Sequence, residues 1–215
     1  MKNDSELNLQ GNKSNQTIDL HYFGDIYSYL KFINQTNVYF SAYESYFRAL
    51  HLNRTKLMGA NGPLPLSVPL EGGRNQKVKW KDVKINYAEP WQRIHWRGIH
   101  DNYRKAPWFE DYAPDLEQLF LRKEKYLLDL NLKTMDYCLQ RLKLKVDILA
   151  YSEEEAAKLI SRRPEKSEPI PSENFPVYQQ VFSERHGFVP NLGILDLLFC
   201  EGPLATDYLR RIKKS

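Results

Sequence analysis

Hydrophobic and polar positions fall into short alternating blocks in the first third of the chain and helical stripes later, and these predict the elements. TIDLHYF (17–23) reads as a short strand. A turn at Gly24-Asp25 leads into IYSYLKFIN (26–34), a helix, and VYFSAYE (38–44) reads as a second strand. That order within about 30 residues predicts a βαβ unit with parallel strands and a right-handed crossover. Asn61-Gly62 is a hairpin turn signal. After it, Leu64, Leu66, Val68 and Leu70 share one face while Pro63, Pro65 and Pro69 share the other, which suits only an edge strand. VKWKDVKIN (78–86) reads as a further strand.

The rest is mostly helical. Pro90 introduces a helix at Trp91 and Pro107 ends it. A charged helix follows over 111–125. Residues 126–144 carry the cleanest stripe, in Leu127, Leu128, Met135, Cys138, Leu139 and Leu142. VDILAYS (146–152) reads as a core strand, EEEAAKLI (153–160) as a short helix and VYQQVF (177–182) as a short extended or helical piece. NLGILDLLFCEG (191–202) reads as a buried helix capped by Asn191 and stopped at Gly202, and LATDYLRRIKK (204–214) as an amphipathic terminal helix. The predicted class is α/β: an N-terminal βαβ unit and hairpin, then a mostly helical C-terminal half. Residues 1–16, which lack aromatic side chains, are expected to be a disordered tail. Four prolines in 161–176 predict a flexible loop within a single domain over 17–215.

Composition narrows the function. At 215 residues, 42% hydrophobic and 27% charged, the chain is an ordinary soluble globular protein. The net charge of +4 is too mild for a nucleic-acid face. Cys138 and Cys200 lie in apolar runs without metal or redox spacing, so buried thiols in a reducing cytoplasm are expected. No stretch of about 18 apolar residues predicts a membrane span, and the first residues have no secretory apolar segment. G-x-G-x-x-G, P-loop, G-x-S-x-G and H-E-x-x-H patterns are missing, so no metal and no cofactor are expected. The oligomeric state is not encoded in any pattern.

The densest chemistry lies in WQRIHWRGIHDNYRKAPWFEDY (91–112). On a helical wheel Arg93, Arg97, Asp101 and Arg104 share one side, while Trp91, Gly98, Ile99, Tyr103 and Ala106 share the other. His95 and Asn102 stand inside that apolar arc, where a helix built only for packing has no need of them. His95 and His100 diverge by about 140°, so they do not form a metal pair. Elsewhere, His21, Tyr22, Gly24 and Asp25 stand at the carboxyl end of the first predicted strand, where open parallel sheets bind ligands. His21 and His51 can meet only through tertiary folding. Arg54, preceded by Asn53, can clamp a phosphate or carboxylate. Burial by Trp108 and Phe109 would raise the carboxyl of Glu110.

The series YFGDIYSYLKF (22–32), Asn53-Arg54-Thr55, ANGPLPLSVPL (60–70), KDVKI (81–85), residues 91–112, LLDLN (127–131), VYQQVF and FVPNLGILDLLFCEGP (188–203) resembles the WbqC-like family of bacterial proteins. The opening DLHYFGDIY lacks the Gln-Pro pair of the family's His-Gln-Pro-x-Tyr-Leu-Pro pattern, although Tyr22 matches. Asn191-Leu192-Gly193 stands where the family has Asn-Leu-Ser. Some members are linked to O-antigen or other surface-polysaccharide biosynthesis. One reading is a cytoplasmic group-transfer enzyme whose small-molecule substrate is a nucleotide-activated sugar. The catalytic candidates are His95 as base, Asn102 and Glu110. Those for binding are Tyr22, Asn53, Arg54, Trp91, Trp96, Tyr103 and Asn191. The alternative is a non-catalytic binding or assembly protein whose contact surface is the aromatic cluster of residues 91–112.

Overall fold

The computed structural model describes residues 16–46, 50–72, 78–158 and 171–214. The predicted tail over 1–16 lies outside them save for Gln16, as do residues 161–170 of the predicted loop.

The parallel architecture is present in reduced form. Strand β1 (Asn37–Phe40) pairs in parallel with β4 (Asp147–Ala150), from Asn37 opposite Asp147 to Phe40 opposite Ala150. On its other side β1 meets the 16–18 segment, where Ile18 N donates to Tyr39 O (2.8 Å) and Tyr39 N to Gln16 O (2.9 Å). The predicted strand over 17–23 therefore contracts to one parallel bridge at Thr17. Beyond it the chain carries its apolar side chains straight into the core. The intervening helix is a 3-10 helix, Tyr27–Phe32, with Tyr29 N bonded to Ile26 O and Ile33 N to Leu30 O. β4 is no core strand: its burial pattern is mostly exposed.

β2 (Arg54–Gly59) and β3 (Gly62–Ser67) form the expected antiparallel hairpin. Gly59 pairs with Gly62, so Ala60-Asn61 is the two-residue turn, and Gly62 at φ +110° leaves it. Pro63 and Pro65 are exposed while Leu66 and Val68 are buried, as the alternation requires. The predicted strand over 78–86 is instead a 3-10 turn, Trp80–Asp82, flanked by isolated bridges. Its buried Trp80, Val83 and Ile85 serve packing rather than a ladder.

The helices are α1 (Trp91–Tyr103), α2 (Phe109–Leu121), α3 (Leu127–Arg141), α4 (Glu153–Lys158), α5 (Ser183–His186), α6 (Ile194–Glu201) and α7 (Ala205–Lys214). α6 is the most buried, with every residue from Ile194 to Cys200 inside. Phe199 on it meets Tyr103 (5.3 Å) and Phe109 (5.1 Å), which joins α1 and α2 to α6. Its N-cap is Gly193, not Asn191, and Gly202 at φ +52° stops it as expected. The Trp108 ring lies flat on Gly202, where any Cβ would collide with it. Residues 177–182 are irregular. No helix among the described residues is long and apolar enough to cross a membrane.

Short strands leave much irregular backbone to be satisfied inside the molecule, and buried polar groups must find partners. Side chains supply them. Asn131 Nδ2 on α3 donates to Leu20 O (2.8 Å) and Leu52 O (2.9 Å). Asn53 Nδ2 donates to Val68 O (2.7 Å), and Tyr29 OH to Phe23 O (2.7 Å).

Candidate functional site

α1 holds His95 as its wheel predicts, turned inward and 5% exposed. Its Nδ1 lies 3.0 Å from the buried Tyr22 OH, and the ring also bonds to the backbone of Ser67. The Trp91 ring packs on it edge to face at 5.2 Å. Burial pulls its pKa down to about 4, partly offset by the Ser67 bond. This neutral imidazole is thus enclosed by the protein. Asn102 is also engaged: Nδ2 donates to Gly98 O (2.7 Å) and Oδ1 accepts from Ala60 N (3.1 Å). It clamps the hairpin turn, whose Ala60 carbonyl meets Arg185 Nη1 (2.8 Å) and His186 Nε2 (3.1 Å) from the other side.

The remaining candidates are dispersed. Glu110 is exposed in the first turn of α2, outside the burial expected for it. Trp91 is 3% exposed, and Trp96 is half-buried between Phe109 (6.2 Å) and Phe120 (6.0 Å). Arg54 is half-buried, with its Nε enclosed and without a hydrogen-bond partner. Tyr103 OH accepts from Met58 N (2.9 Å) and donates to Asp196 Oδ2 (2.6 Å).

Asp196 is the residue that sequence reasoning missed. It is fully buried on α6 and also accepts from Tyr178 OH (2.5 Å), with Gln180 Nε2 at 3.4 Å. Burial raises its carboxyl, and these three donors hold it back. A single carboxylate inside ILDLLFC was the signal, because acids are rarely fully buried without partners.

Three stretches distant in sequence meet at one junction. Thr55 Oγ1 donates to Gly24 O (3.3 Å), Ile194 N to Gly24 O (3.1 Å), and Gly193 N to Lys56 O (2.6 Å). Asn191 Nδ2 donates to Asp25 Oδ2 (3.0 Å), while Asn191 Oδ1 accepts from Tyr27 N (2.9 Å). A Cβ on Gly193 would collide with Thr55 Oγ1 and stand 3.1 Å from the Lys56 carbonyl, so a serine has no room there. Backbone strain collects at this place. Of five non-glycine residues with positive φ among the described residues, Phe23 (58°), His51 (53°) and Asn191 (50°) lie in or beside these stretches. A buried phenylalanine in that region is a genuine outlier, and such strain clusters at functional sites.

His21 stands at the edge of this junction. It is half-buried, and Asp25, Asp19, Lys31 and His51 lie within electrostatic reach of its ring. Burial lowers its pKa, and the carboxylates of Asp25 and Asp19 oppose that shift. The fold thus brings His21 and His51 together. Among the described residues no group of three or more histidine, cysteine or acidic side chains could hold a metal ion.

The family model for the WbqC-like proteins matches residues 6–164. The chain belongs to the WbqC-like protein family. The match includes His21, Gly24, Asp25 and Thr55, whereas Asn191 and Asp196 lie beyond it. The chain is also similar to the uncharacterized protein Rv1507c of Mycobacterium tuberculosis, at 26% identity over 189 residues covering 74% of this chain and 80% of that protein. No solved structure matches it.

Proposed function

We propose that this WbqC-like protein is a group-transfer enzyme acting on a nucleotide-activated sugar in surface-polysaccharide biosynthesis of the O-antigen type, with His21 as its base. The observation that carries the site is His21, partly open to solvent, neutral and flanked by Asp19 and Asp25, on the strained backbone of the junction. Family membership supports the substrate class, through members linked to surface polysaccharides. A neutral imidazole can take the proton of an attacking hydroxyl, and two nearby carboxylates stabilise the imidazolium that forms. His95 lacks that freedom, since it is buried and Tyr22 OH engages its Nδ1. Arg54, with its unpaired Nε, is the candidate to neutralise phosphate. The alternative, a binding protein with an aromatic face at 91–112, loses support from packing. Trp91, Trp96 and Trp108 are all buried or half-buried.

A thermal-shift screen of nucleotide sugars finds the donor, and turnover of that donor then separates the histidines. His21→Gln is expected to lower kcat at least about 100-fold with melting temperature nearly unchanged. Because burial lowers the pKa of His21, the rate holds through neutral pH and falls only as acid protonates the ring. Full turnover by His21→Gln would remove the base from this site.

A further inference from the structure

A small cavity of about 20 Å³ lies between the 16–20 segment, the chain leaving β1 and the 3-10 turn at Trp80. Thr17, Asp19, Ser41, Glu44, Leu52 and Trp80 are among the residues that line it. Its place in the fold is specific. Ile18 and Phe40 end two neighbouring parallel segments, and Asp19 and Ser41 follow them directly. The cavity therefore opens at the carboxyl edge of the parallel ladder, the side on which open sheets bind ligands.

Two of its lining side chains carry polar atoms that the protein does not satisfy. Ser41 is 6% exposed and Trp80 4%, and neither Ser41 Oγ nor Trp80 Nε1 has a hydrogen-bond partner. Leaving such groups unpaired is unfavourable, so native structures seldom do so without a use for them. Trp80 is held firmly. Its backbone N donates to Glu44 O (2.9 Å), Lys81 N donates to Ala42 O (3.0 Å), and its ring packs on Phe40 at 6.1 Å.

The chemistry of the lining selects the occupant. Trp80 Nε1 can only donate, so an ammonium group has nothing to offer it. The carboxylates of Asp19 and Glu44, which both line the cavity, repel phosphate and carboxylate. A neutral oxygen that accepts from Trp80 and Ser41 and donates its own proton satisfies both, and that group is a hydroxyl. The volume suits one group of about the size of a water molecule. We propose that this cavity is a subsite for one hydroxyl of a sugar, with the ring of that sugar lying outside it over Asp19 toward His21. The proposal deepens the sugar-transferase reading and rests on it for the molecule that bears the hydroxyl. Asp19 lies within electrostatic reach of His21, which links the two places.

Methyl glycosides of glucose, galactose, mannose and N-acetylglucosamine test the subsite, because they carry hydroxyls but no nucleotide to transfer. Their binding to the full chain is followed by ligand-observed NMR for wild type and Ser41→Val. Valine replaces the hydroxyl and fills the cavity. At least one glycoside is expected to bind wild type saturably, and Ser41→Val at least about tenfold more weakly. If Ser41→Val lowers the melting temperature, Ser41→Ala removes the hydroxyl without added bulk and gives the same readout. Absence of saturable binding to wild type, as for a cavity that holds only water, overturns the proposal. So does unchanged binding by the serine variants. Because binding is read without turnover, failure of His21 as base leaves this result intact, and the reverse also holds.

Discussion

Helices α1 and α6 both bury an ionisable side chain in an apolar face; burial favours the uncharged form at both, and the two differ in how heavily the group is hydrogen-bonded. On α1, His95 is held in its uncharged form: desolvation takes its pKa to about 4, and Tyr22 and Ser67 meet the neutral ring. On α6, Asp196 is surrounded by donors, with Tyr103 and Tyr178 hydroxyls on its two oxygens and the Gln180 amide beside them. The two sites are joined mechanically, since Tyr103 belongs to α1 and Asp196 to α6. The contrast teaches that a polar residue in an apolar stripe is not by itself a mark of catalysis. In this fold such residues tie irregular segments to helices, and the freer histidine lies elsewhere, at His21.

Removing Asp196 is the largest expected disturbance. Asp196→Ala leaves the buried Tyr103 and Tyr178 hydroxyls without an acceptor, at a cost of about 3–4 kcal/mol in urea unfolding. Asp196→Asn, which keeps one acceptor oxygen, loses less. A loss below about 1 kcal/mol for the alanine variant would mean that the network does not hold α1 to α6.

The next effect is on pH dependence, and it has opposite signs at the two sites. The pKa of His95 is lower in the folded chain than the ordinary 6.5, so the unfolded chain binds the extra proton first. Its contribution to stability is complete above pH 6.5 and declines toward pH 4, by about 3 kcal/mol in all. Asp196 is raised instead, so its contribution is present in acid and lost as pH rises through the folded value. His95→Gln is expected to flatten the acid side of a stability profile measured by chemical denaturation. An unchanged slope between pH 6.5 and 4 would remove His95 from that role.

The smallest effect expected is at Asn102. Asn102→Ala frees the Ala60 amide and loses about 1 kcal/mol, because Arg185 and His186 still hold the carbonyl of the same residue. Hydrogen exchange at Ala60 resolves it: faster exchange confined to the hairpin turn is the predicted outcome, and protection equal to wild type would contradict it.

The helical half was readable because its signals are local. The stripe over 126–144 specified α3, Pro90 and Pro107 bracketed α1, and Gly202 stopped α6. The wheel correctly placed His95 inside, while His100 is half-buried beside Trp96 and Phe109. The strands were less legible. VKWKDVKIN has the composition of a strand, yet in the fold it is a 3-10 turn with isolated bridges, because packing of Trp80 and Val83 decides its backbone. Asn191 has the side chain of a helix cap but uses both of its polar atoms on the 25–27 loop.

The sequence alone determined the α/β class, the order of most elements and the family, since each depends on patterns within a few dozen residues. It also determined that Arg54, Asn53 and the 91–112 stretch carry polar groups worth locating. Only the tertiary structure decided what those groups touch. Whether a histidine is a base or a packed ring depends on which atoms, 73 residues away in the case of Tyr22 and His95, come within 3.0 Å of its nitrogens. Sequence spacing carries no record of such contacts. Burial and strain at His21, Phe23 and Asn191 arise in the same way, from where three distant segments are forced to meet.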